Sequence, residues 1–579
     1  MSTVLDATPA ASAPLWKGAA LAAHALHVVL PFQIPRGAVG LQPGGKNWDP
    51  NFHDLAAGVC RDWPLPFQQL SKSFPVAAWM EADTIARFTD GDWLPGPLHR
   101  RAAADSDGAA RARREAWNAQ PVWQRVARGP SLDFHPYIRA IFGYRDGEPA
   151  TLAEAAQSAH GQFSGLPTLQ LGSAACQLLQ GAVGRRGAGL NLGLPPAACA
   201  RLGRPPGSAL RLHIDDVLLQ LFSSGYGLLV FRVEVAWDRD DAPLTADGLL
   251  EATHLLSRNP SMRGAGKLQW AGFPECAGPG WTEIADRLLP LAGLRPLYRE
   301  QTRFFSYSYA QSAEPLPDEV LRDYASRLAC HFTEHYALGV PREVTTLYAP
   351  FAGLSHAMAC EGGCTVLAGD RGVPFLRDYG TGALRQAYLP LALLSYHEYL
   401  YLLGMAQSVQ LPAAMRHDDD RGASMLEDWR EQLVLFHVDF RFSVASSVSL
   451  HNRTLCAWRE ALQLDRLLDE VTRDVEKSEM VYRARRERRF KWAQALASSI
   501  AAMLLAWQFV SAALGHVYGD VGLKTSLAAG ATTDPAKKEA LLQSYNQQMD
   551  EKDRIELLAG ALALAIGVMA GRFVYRRPF

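Results

Sequence analysis

Four polar residues stand out within the longest uncharged stretch of the sequence. This stretch of 28 residues, 492–519, carries no formal charge and contains Gln494, Ser498, Gln508 and His516. On a helix that turns about 100° per residue, the four side chains fall within an arc of roughly 80°. Several copies of such a helix would form rings of uncharged polar groups that hold an ion or its waters. The alternative is that these groups only hydrogen-bond to neighbouring helices.

A short motif closes the uncharged stretch. Tyr518 and Gly519 precede Asp520, which is the first residue with a formal charge after Lys491. In an assembly of several copies, Asp520 would form a ring of carboxylates that concentrates cations at the mouth of a pore. An exposed loop acid or a helix-end cap is the alternative interpretation.

Three consecutive carboxylates, Asp418, Asp419 and Asp420, are the candidate for a regulatory divalent-cation site. Carboxylate oxygens are the ligands that Mg²⁺ and Ca²⁺ prefer. A solvated loop is the alternative. The segment His213-Ile-Asp215-Asp216 also carries possible ligands, and we interpret it as a surface turn.

No motif in the sequence predicts an enzyme. His397-Glu398 lacks the second histidine of a zinc-protease helix. The sequence contains neither a phosphate-binding GxxxxGK[ST] loop nor a GxSxG nucleophile motif. We therefore expect no catalytic residues and no cofactor other than Mg²⁺ or another divalent cation.

The uncharged stretch is long enough to cross a membrane. A helix of 28 residues is about 40 Å long, and the hydrocarbon core of a bilayer is about 30 Å thick. A second apolar run, residues 557–571, is shorter, and residues 573–575 extend it to the interface. It ends in Gly567-Val-Met-Ala-Gly571, a GxxxG spacing that lets helices pack closely. The sequence therefore predicts two spans.

The charges that flank the two runs predict their orientation. The connecting segment 520–556 carries five basic and seven acidic residues, whereas both outer flanks are basic. The positive-inside rule then places both termini in the cytoplasm and 520–556 outside, as an external loop. The basic flanking residues are Arg483, Arg485, Arg486, Arg488, Arg489 and Lys491 before the first run, and Arg572, Arg576 and Arg577 after the second.

Bulk composition excludes several classes of protein. The 579 residues include 58 basic and 59 acidic side chains, a balance that argues against a bulk nucleic-acid binder. Hydrophobic residues make up 48%, which is typical of a globular chain. The eight cysteines form no paired CxxC units, so we expect reduced, mostly buried thiols and no zinc site. The apolar stretch at 18–32 is too short to span a bilayer and predicts a buried helix or strand.

We predict four regions along the chain: an N-terminal region of unknown type at 1–200, an α+β cytoplasmic domain at 201–380, a helical stalk region at 381–491 and a transmembrane domain at 492–579. The boundaries lie near the Gly/Pro-rich break at 203–208, near the change to helical patterning at about Leu384, and at the start of the uncharged stretch at Trp492. Strands mixed with helices favour the α+β class for the second region.

Within the second region, the apolar runs 217–222 and 228–235 flank a glycine-containing turn and predict a hairpin. A helix is predicted at 246–258. Further strands are predicted at 344–348 and 357–367, the latter turning at Glu361-Gly-Gly.

In the stalk region, the apolar segment 384–410 predicts a soluble packing helix, with a third membrane span as the alternative. Pro390 favours a helix start or a kink there. One long helix is predicted from about Ser424 through the basic cluster and into the membrane.

This layout resembles the CorA-like family of divalent-cation transporters over roughly residues 210–579. The resemblance rests on Arg485-Arg-Glu-Arg-Arg-Phe-Lys-Trp before the first span and on Gly515-His-Val-Tyr-Gly519 at its outer end. The family's signature at that exit is Tyr-Gly-Met-Asn. Here Tyr518 and Gly519 remain, whereas Asp520 and Val521 replace Met-Asn, and the connecting segment is longer than the family's.

The resemblance implies a cytoplasmic α/β domain and a stalk helix that continues as the first of two spans. It also implies an inner-membrane homopentamer whose first spans line a pore, with magnesium between the cytoplasmic domains holding it closed. The expected partners are then the lipid bilayer and further copies of the chain. The expected function is that of a cation channel or transporter gated by its cytoplasmic domain.

Two other functions remain open at this stage. Some CorA-like chains act in antiviral defence, where a small nucleotide signal binds the cytoplasmic part and the membrane part impairs the cell. The unmatched N-terminal region and the missing Met-Asn motivate such a membrane effector with a small-molecule or nucleotide regulator. A membrane-anchored scaffold without transport is the third hypothesis.

Overall fold

The computed structural model describes residues 15–33, 123–126, 129–142, 144, 168–172, 176, 189–222, 224–238, 242–261, 266–270, 273–278, 280–289, 295–333, 345–369, 376, 379–380, 382–410 and 419–576. The chain divides into two compact units: Met1–Leu411 with Trp429–Thr472, and Pro412–Asp428 with Arg473–Phe579.

The first unit has α+β character and is built on one mixed sheet. Its strands are β1 (Leu21–Gln33), β2 (Trp123–Arg125), β3 (Leu169–Leu171), β4 (Leu190–Gly193), β5 (Ala209–Leu221), β6 (Tyr226–Trp237), β7 (Lys267–Trp270), β8 (Phe273–Ala277), β9 (Phe305–Ser312), β10 (Thr346–Phe351), β11 (Leu354–Met358) and β12 (Gly362–Ala368). The strand order is β10-β11-β12-β9-β1-β6-β5-β4-β7-β8, and β3 pairs with both β2 and β5. β12 pairs with β9 in parallel, whereas β1 pairs antiparallel with both β6 and β9.

The helices of both units are numbered together in the order of the sequence. They are α1 (Pro136–Ile141), α2 (Pro196–Arg201), α3 (Ala246–Leu256), α4 (Trp281–Leu288), α5 (Leu297–Glu300), α6 (Asp318–Ala329), α7 (Leu389–Gln410), α8 (Asp419–Asp439), α9 (Ser449–Ala461), α10 (Leu464–Ala531) and α11 (Pro535–Arg576). A π-helical turn, Leu384–Tyr388, leads directly into α7.

Helices cover both faces of the sheet. The Cys364 thiol of β12 lies 3.1 Å from the backbone carbonyl of Ala325 in α6. The neighbouring Gly363 lies against the ring of Trp458 in α9. Because successive residues of a strand point to opposite faces, α6 and α9 cover opposite faces of the sheet.

Helix α7 lies on the same face as α9. Phe305 of β9 stacks on Tyr396 of α7 with ring centroids 4.2 Å apart, and its centroid is 5.4 Å from that of Trp458 in α9. Side chains on every side of α7 are buried, including Leu391, Leu394 and Leu402. The prediction of a packing helix at 384–410 is therefore confirmed, with Pro390 in the first turn of α7.

The predicted hairpin is confirmed. Strands β5 and β6 pair antiparallel from Leu210↔Trp237 to Leu221↔Gly227. Gly225 adopts a φ of 81° in the turn, a conformation that favours glycine. The predicted helix at 246–258 and the strands near 344–348 and 357–367 correspond to α3, β10 and the β11–β12 hairpin.

The boundary predicted at residue 200 requires correction. Strand β1 lies in the interior of the sheet between β6 and β9, so residues from the first 200 belong to the same core as those that follow. Its apolar side chains, including Leu26, Val28 and Leu30, are fully buried. Sequence order could not reveal this pairing because strands far apart along the chain can be neighbours in a sheet.

The segment His213–Asp216 is not a surface turn. It lies inside β5, where the register with β6 shifts between Ile214 and Asp216. Such a bulge re-aims the side chains beside it. Asp216 is only 2% exposed and binds the guanidinium of Arg385.

The single long helix predicted from Ser424 is divided into α8, α9 and α10. The side chain of Asn452 accepts hydrogen bonds from the backbone N–H groups of Ala445 and Ser446, at 2.8 and 3.0 Å, and so stabilises a turn before α9. Gln463 has a φ of 51° between α9 and α10. A left-handed residue interrupts the i→i−4 hydrogen-bond ladder, which ends α9 there.

The external loop predicted at 520–556 is helical over most of its length. Helix α10 continues to Ala531, and α11 begins at Pro535. Asp534 accepts the N–H of Ala536 at 3.2 Å, as an N-cap residue does, and proline is favoured in the first turn of a helix. Only Thr532 to Asp534 lie outside the two helices.

Candidate functional site

The apolar part of α10 is almost uncovered. An 18-residue window of this helix has a mean hydropathy of 1.6 and is only 6% buried. Among the described residues, this is the one helix long and apolar enough to cross a membrane, by length and composition only. Large apolar side chains on this helix, such as Leu504 and Phe509, are 55% and 80% exposed. Exposed apolar surface is typical of sites that contact a membrane or another chain.

The four polar residues predicted to line a pore all lie on this helix. Gln494, Gln508 and His516 are exposed, and Ser498 is half-buried. The Ser498 hydroxyl donates a hydrogen bond to the carbonyl of Ala495 at 2.9 Å, so it is satisfied within the helix. The other three side chains stand on the surface of the single chain, where another copy or water could reach them.

Helix α11 packs antiparallel on α10 within the second unit. A Cβ added to Gly567 would lie 2.8 Å from the carbonyl oxygen of Ser499 and 3.2 Å from Cβ of Met503. A Cβ added to Gly560 would lie 3.5 Å from the ring of Trp507. Small residues at such a seam allow close approach of two helices. The packing role predicted for the GxxxG spacing is thus confirmed at Gly567.

The polar stripe lies on the side of α10 away from α11. Ser499, Met503 and Trp507, which face α11, lie roughly 170° around the helix from the mean direction of the four polar side chains. A polar stripe opposite the packing partner is the arrangement in which α10 would line a path and α11 would lie outside it.

The contacts between α10 and α11 also show which residues of the two helices lie level with each other. Glu556 lies one turn, about 6 Å, before Gly560, which places it level with about residue 511 of α10. His516 and Asp520 then lie about 8 Å and about 14 Å farther along α10, toward Ala531. Tyr518, Gly519 and Asp520 are inside the continuous helix, so the helix-end cap proposed for Asp520 is not observed.

Replacing Gly567 with leucine is expected to weaken the packing of α10 on α11. The new side chain would meet the Ser499 backbone, which cannot rotate away, and overpacking of this kind costs about 1–3 kcal/mol. Gly515→Leu is the matched control, because no atom lies within 4 Å of a Cβ at Gly515. We expect a lower thermal midpoint in detergent for G567L only. Equal midpoints for the two variants would contradict the close contact.

The sequence did not predict the buried charge cluster next to the start of α10. Glu398 of α7 is fully buried and binds Arg459 of α9 through two hydrogen bonds, at 2.8 and 3.1 Å. Arg441 donates to the same carboxylate at 3.3 Å and also pairs with Asp465 in the first turn of α10. Burial and the neighbouring Arg459 lower the pKa of Arg441, whereas Glu398 opposes that effect. The cluster joins α7, α9 and the first turn of α10, all within the first unit.

One sequence signal could have revealed this cluster. Glu398 is the only formally charged residue between Arg385 and Arg416, within an otherwise apolar helix. A lone carboxylate in such a segment needs a buried cationic partner. The neighbouring His397 forms a hydrogen bond of 2.5 Å between its Nε2 atom and the hydroxyl of Ser224. Burial lowers the pKa of His397 to about 3.

The predicted regulatory metal site at Asp418, Asp419 and Asp420 falls largely outside the described residues. Asp418 lies outside them, and Asp419 and Asp420 open α8. No group of three or more histidine, cysteine, aspartate or glutamate side chains there could hold a metal ion.

No protein-family model matches this chain, and neither a curated protein nor a solved structure is significantly similar to it.

Proposed function

We propose that this chain is an integral membrane protein of CorA-like design that conducts cations along the polar stripe of α10. In this proposal α10 and α11 both span the inner membrane, several copies assemble around the stripe, and the first unit lies in the cytoplasm. The observation that carries the proposal is the polar stripe within an uncovered apolar helix, on the side that α11 leaves open.

Three features support the arrangement. The stripe contains uncharged groups that can hold a hydrated cation without trapping it. Exposed basic side chains, including Arg483, Arg486 and Arg488, precede the apolar part of α10 and favour a cytoplasmic location for that end. The GxxxG glycine Gly567 holds α11 against α10, so each copy would contribute one inner and one outer helix.

The packing of α11 on α10 divides the proposed path into two parts. Gln494, Ser498 and Gln508 lie along the part of α10 that faces the apolar run of α11. His516, Tyr518, Gly519 and Asp520 lie level with its charged segment and would form an outer vestibule. The Asp520 positions would attract divalent cations such as Mg²⁺ as substrate, before the uncharged rings select among them.

Flux measurements in reconstituted vesicles test this function. We expect the full-length protein to conduct external Mg²⁺ into vesicles that contain a magnesium indicator. Gln508→Ala, His516→Ala and Asp520→Ala should each reduce the initial rate by about fivefold, a factor that corresponds to about 1 kcal/mol. Ile500→Ala is the matched control, because Ile500 is exposed and lies roughly 130° around the helix from the stripe.

The outcomes separate the competing functions. Unchanged flux in all three variants would remove the pore assignment. A protein that integrates firmly into vesicles but carries no Mg²⁺, Na⁺ or K⁺ would instead favour a membrane effector or a scaffold.

A further inference from the structure

A cavity of about 270 Å³ lies in the first unit, beside the π-helical turn that precedes α7. Its walls are mostly apolar, and its polar groups are few. The lining residues are Val126, Gly129, Pro130, Phe142, Tyr144, Thr168, Gln170, Leu218, Arg385, Gln386, Leu389, Pro390 and Leu393. An apolar pocket with a small number of placed polar groups is the usual form of a small-molecule site.

The polar side of the cavity is held in place by buried partners. Arg385 binds Asp216, which is only 2% exposed, and Thr168 donates a hydrogen bond to Gln220, which is fully buried. Asp216 comes from the bulge of β5, which aims it toward Arg385. Polar side chains fixed in this way are positioned before a ligand arrives, which lowers the entropy lost on binding.

The aromatic wall is equally fixed. The Tyr144 ring lies against Gly129, where an added Cβ would approach it to 2.6 Å. Phe142 packs edge-on against Phe222, with centroids 6.2 Å apart, and Phe222 stacks on His397 at 4.0 Å. The aromatic wall is therefore part of the packed core.

The charges and the size of the cavity define the ligand. The carboxylate of Asp216 compensates the guanidinium of Arg385, so the polar side carries no net formal charge and favours an uncharged molecule. The Gln170 side chain also hydrogen-bonds Asp216. A glutamine amide has two N–H donors and one acceptor oxygen, so Gln170 and Gln386 can each still offer a donor and an acceptor to a ligand. The volume is close to the lower end of the range for small-molecule sites, about 300–1,000 Å³. A single planar ring system fits this space beside Phe142 and Tyr144.

We propose that this cavity binds an uncharged planar heterocycle with an amide-like hydrogen-bonding edge, of nucleobase to nucleoside size. Gln170 and Gln386 hydrogen-bond to the polar edge of the ring, and Phe142 and Tyr144 contact its faces. Arg385 and Asp216 position the polar side. This site is independent of the proposed cation path, because binding can be measured whether or not the protein conducts ions.

Titration of the full-length protein in detergent tests the proposal. The probes are adenine, guanine, uracil, nicotinamide, adenosine and uridine, with AMP as the charged counterpart of adenosine. We expect at least one uncharged probe to bind with a Kd below about 1 mM in calorimetric titration. Gln170→Leu and Gln386→Leu should each weaken that binding about tenfold, because they leave a ligand group unpaired.

Gln269→Leu is the control variant, since Gln269 lies on β7 and does not line the cavity. It should bind the probe as the parent protein does. The proposal is overturned if no uncharged probe binds, or if both cavity variants bind as tightly as the parent. Tighter binding of AMP than of adenosine would overturn the assignment to an uncharged ligand.

Discussion

Replacing Glu398 with alanine is expected to lower the free energy of unfolding of the first unit by about 3–5 kcal/mol. Glu398 is fully buried, and it is the shared partner of Arg441 and Arg459, which are 16% and 11% exposed. Without the carboxylate, two cationic side chains remain close together in a poorly hydrated interior. Removing one partner of a buried ion pair destabilises a protein by more than the intact pair stabilises it, because the remaining charges stay buried and cannot be hydrated.

The unfolding of purified protein in detergent, followed by tryptophan fluorescence against denaturant, measures this change. Glu300→Ala is the matched control, because Glu300 pairs with Arg295 at 2.9 Å while 59% of its side chain is exposed. Exposed pairs contribute about 0–1 kcal/mol. The loss of unfolding free energy for Glu398→Gln should lie between those of E398A and E300A, because glutamine keeps the shape of the side chain and loses its charge. Similar midpoints for E398A and E300A would show that the cluster is hydrated.

Replacing Leu564 with arginine is expected to prevent α11 from entering the membrane in most molecules. Leu564 is 59% exposed and lies within the apolar run of α11. An arginine at the centre of a span costs about 2.5–3.5 kcal/mol on insertion scales, which corresponds to roughly a hundredfold change in the insertion equilibrium. A shift of this size tests the second span, which is the shorter of the two apolar runs.

Leu542→Arg is the matched control on the same helix. Leu542 is 47% exposed and lies in the part of α11 that would project beyond the bilayer. The fraction of protein whose C-terminus is protected from protease in sealed, right-side-out vesicles reports the insertion of α11. We expect protection to fall for L564R and to be unchanged for L542R. Equal protection in both variants would mean that α11 does not cross the membrane.

Several elements of the fold could be predicted from local patterns. The β5–β6 hairpin follows from two apolar runs that flank a turn with Gly225, and both signals lie within a few residues of each other. The apolar character of α10 is a property of composition over a window, so it too was evident in the sequence. The interpretation of 384–410 as a packing helix depended on two charged residues, Arg385 and Glu398, and on the many tyrosines of the segment.

Other elements could not be predicted because they depend on pairs that are distant along the chain. β1 occupies an interior position of the sheet only because β6 and β9, about two hundred to nearly three hundred residues later, pair with its two edges. The Asp216–Arg385 pair joins residues separated by 169 positions. A pattern within either segment carries no information about the partner.

The connecting segment 520–556 is a different case. Its acidic surplus can be counted in the sequence, and the segment was interpreted as a loop because it connects the two predicted spans. Alanine, leucine, lysine, glutamate and glutamine favour helix in that segment, and charged side chains on a solvated helix face are compatible with it. The cap at Asp534 and the proline at Pro535 are the local signals that limit the non-helical connection to Thr532–Asp534.

By itself, the sequence determined where the apolar surface lies and which polar residues share one face of α10, because helical periodicity is a local property. The tertiary structure decided which side of that helix remains open, since only the contacts of Gly567 and Gly560 show where α11 packs. It also decided which charges are buried. Glu398 and Asp216 resemble surface residues in type, and they become structural only because Arg441, Arg459 and Arg385 are brought to them by chain folding.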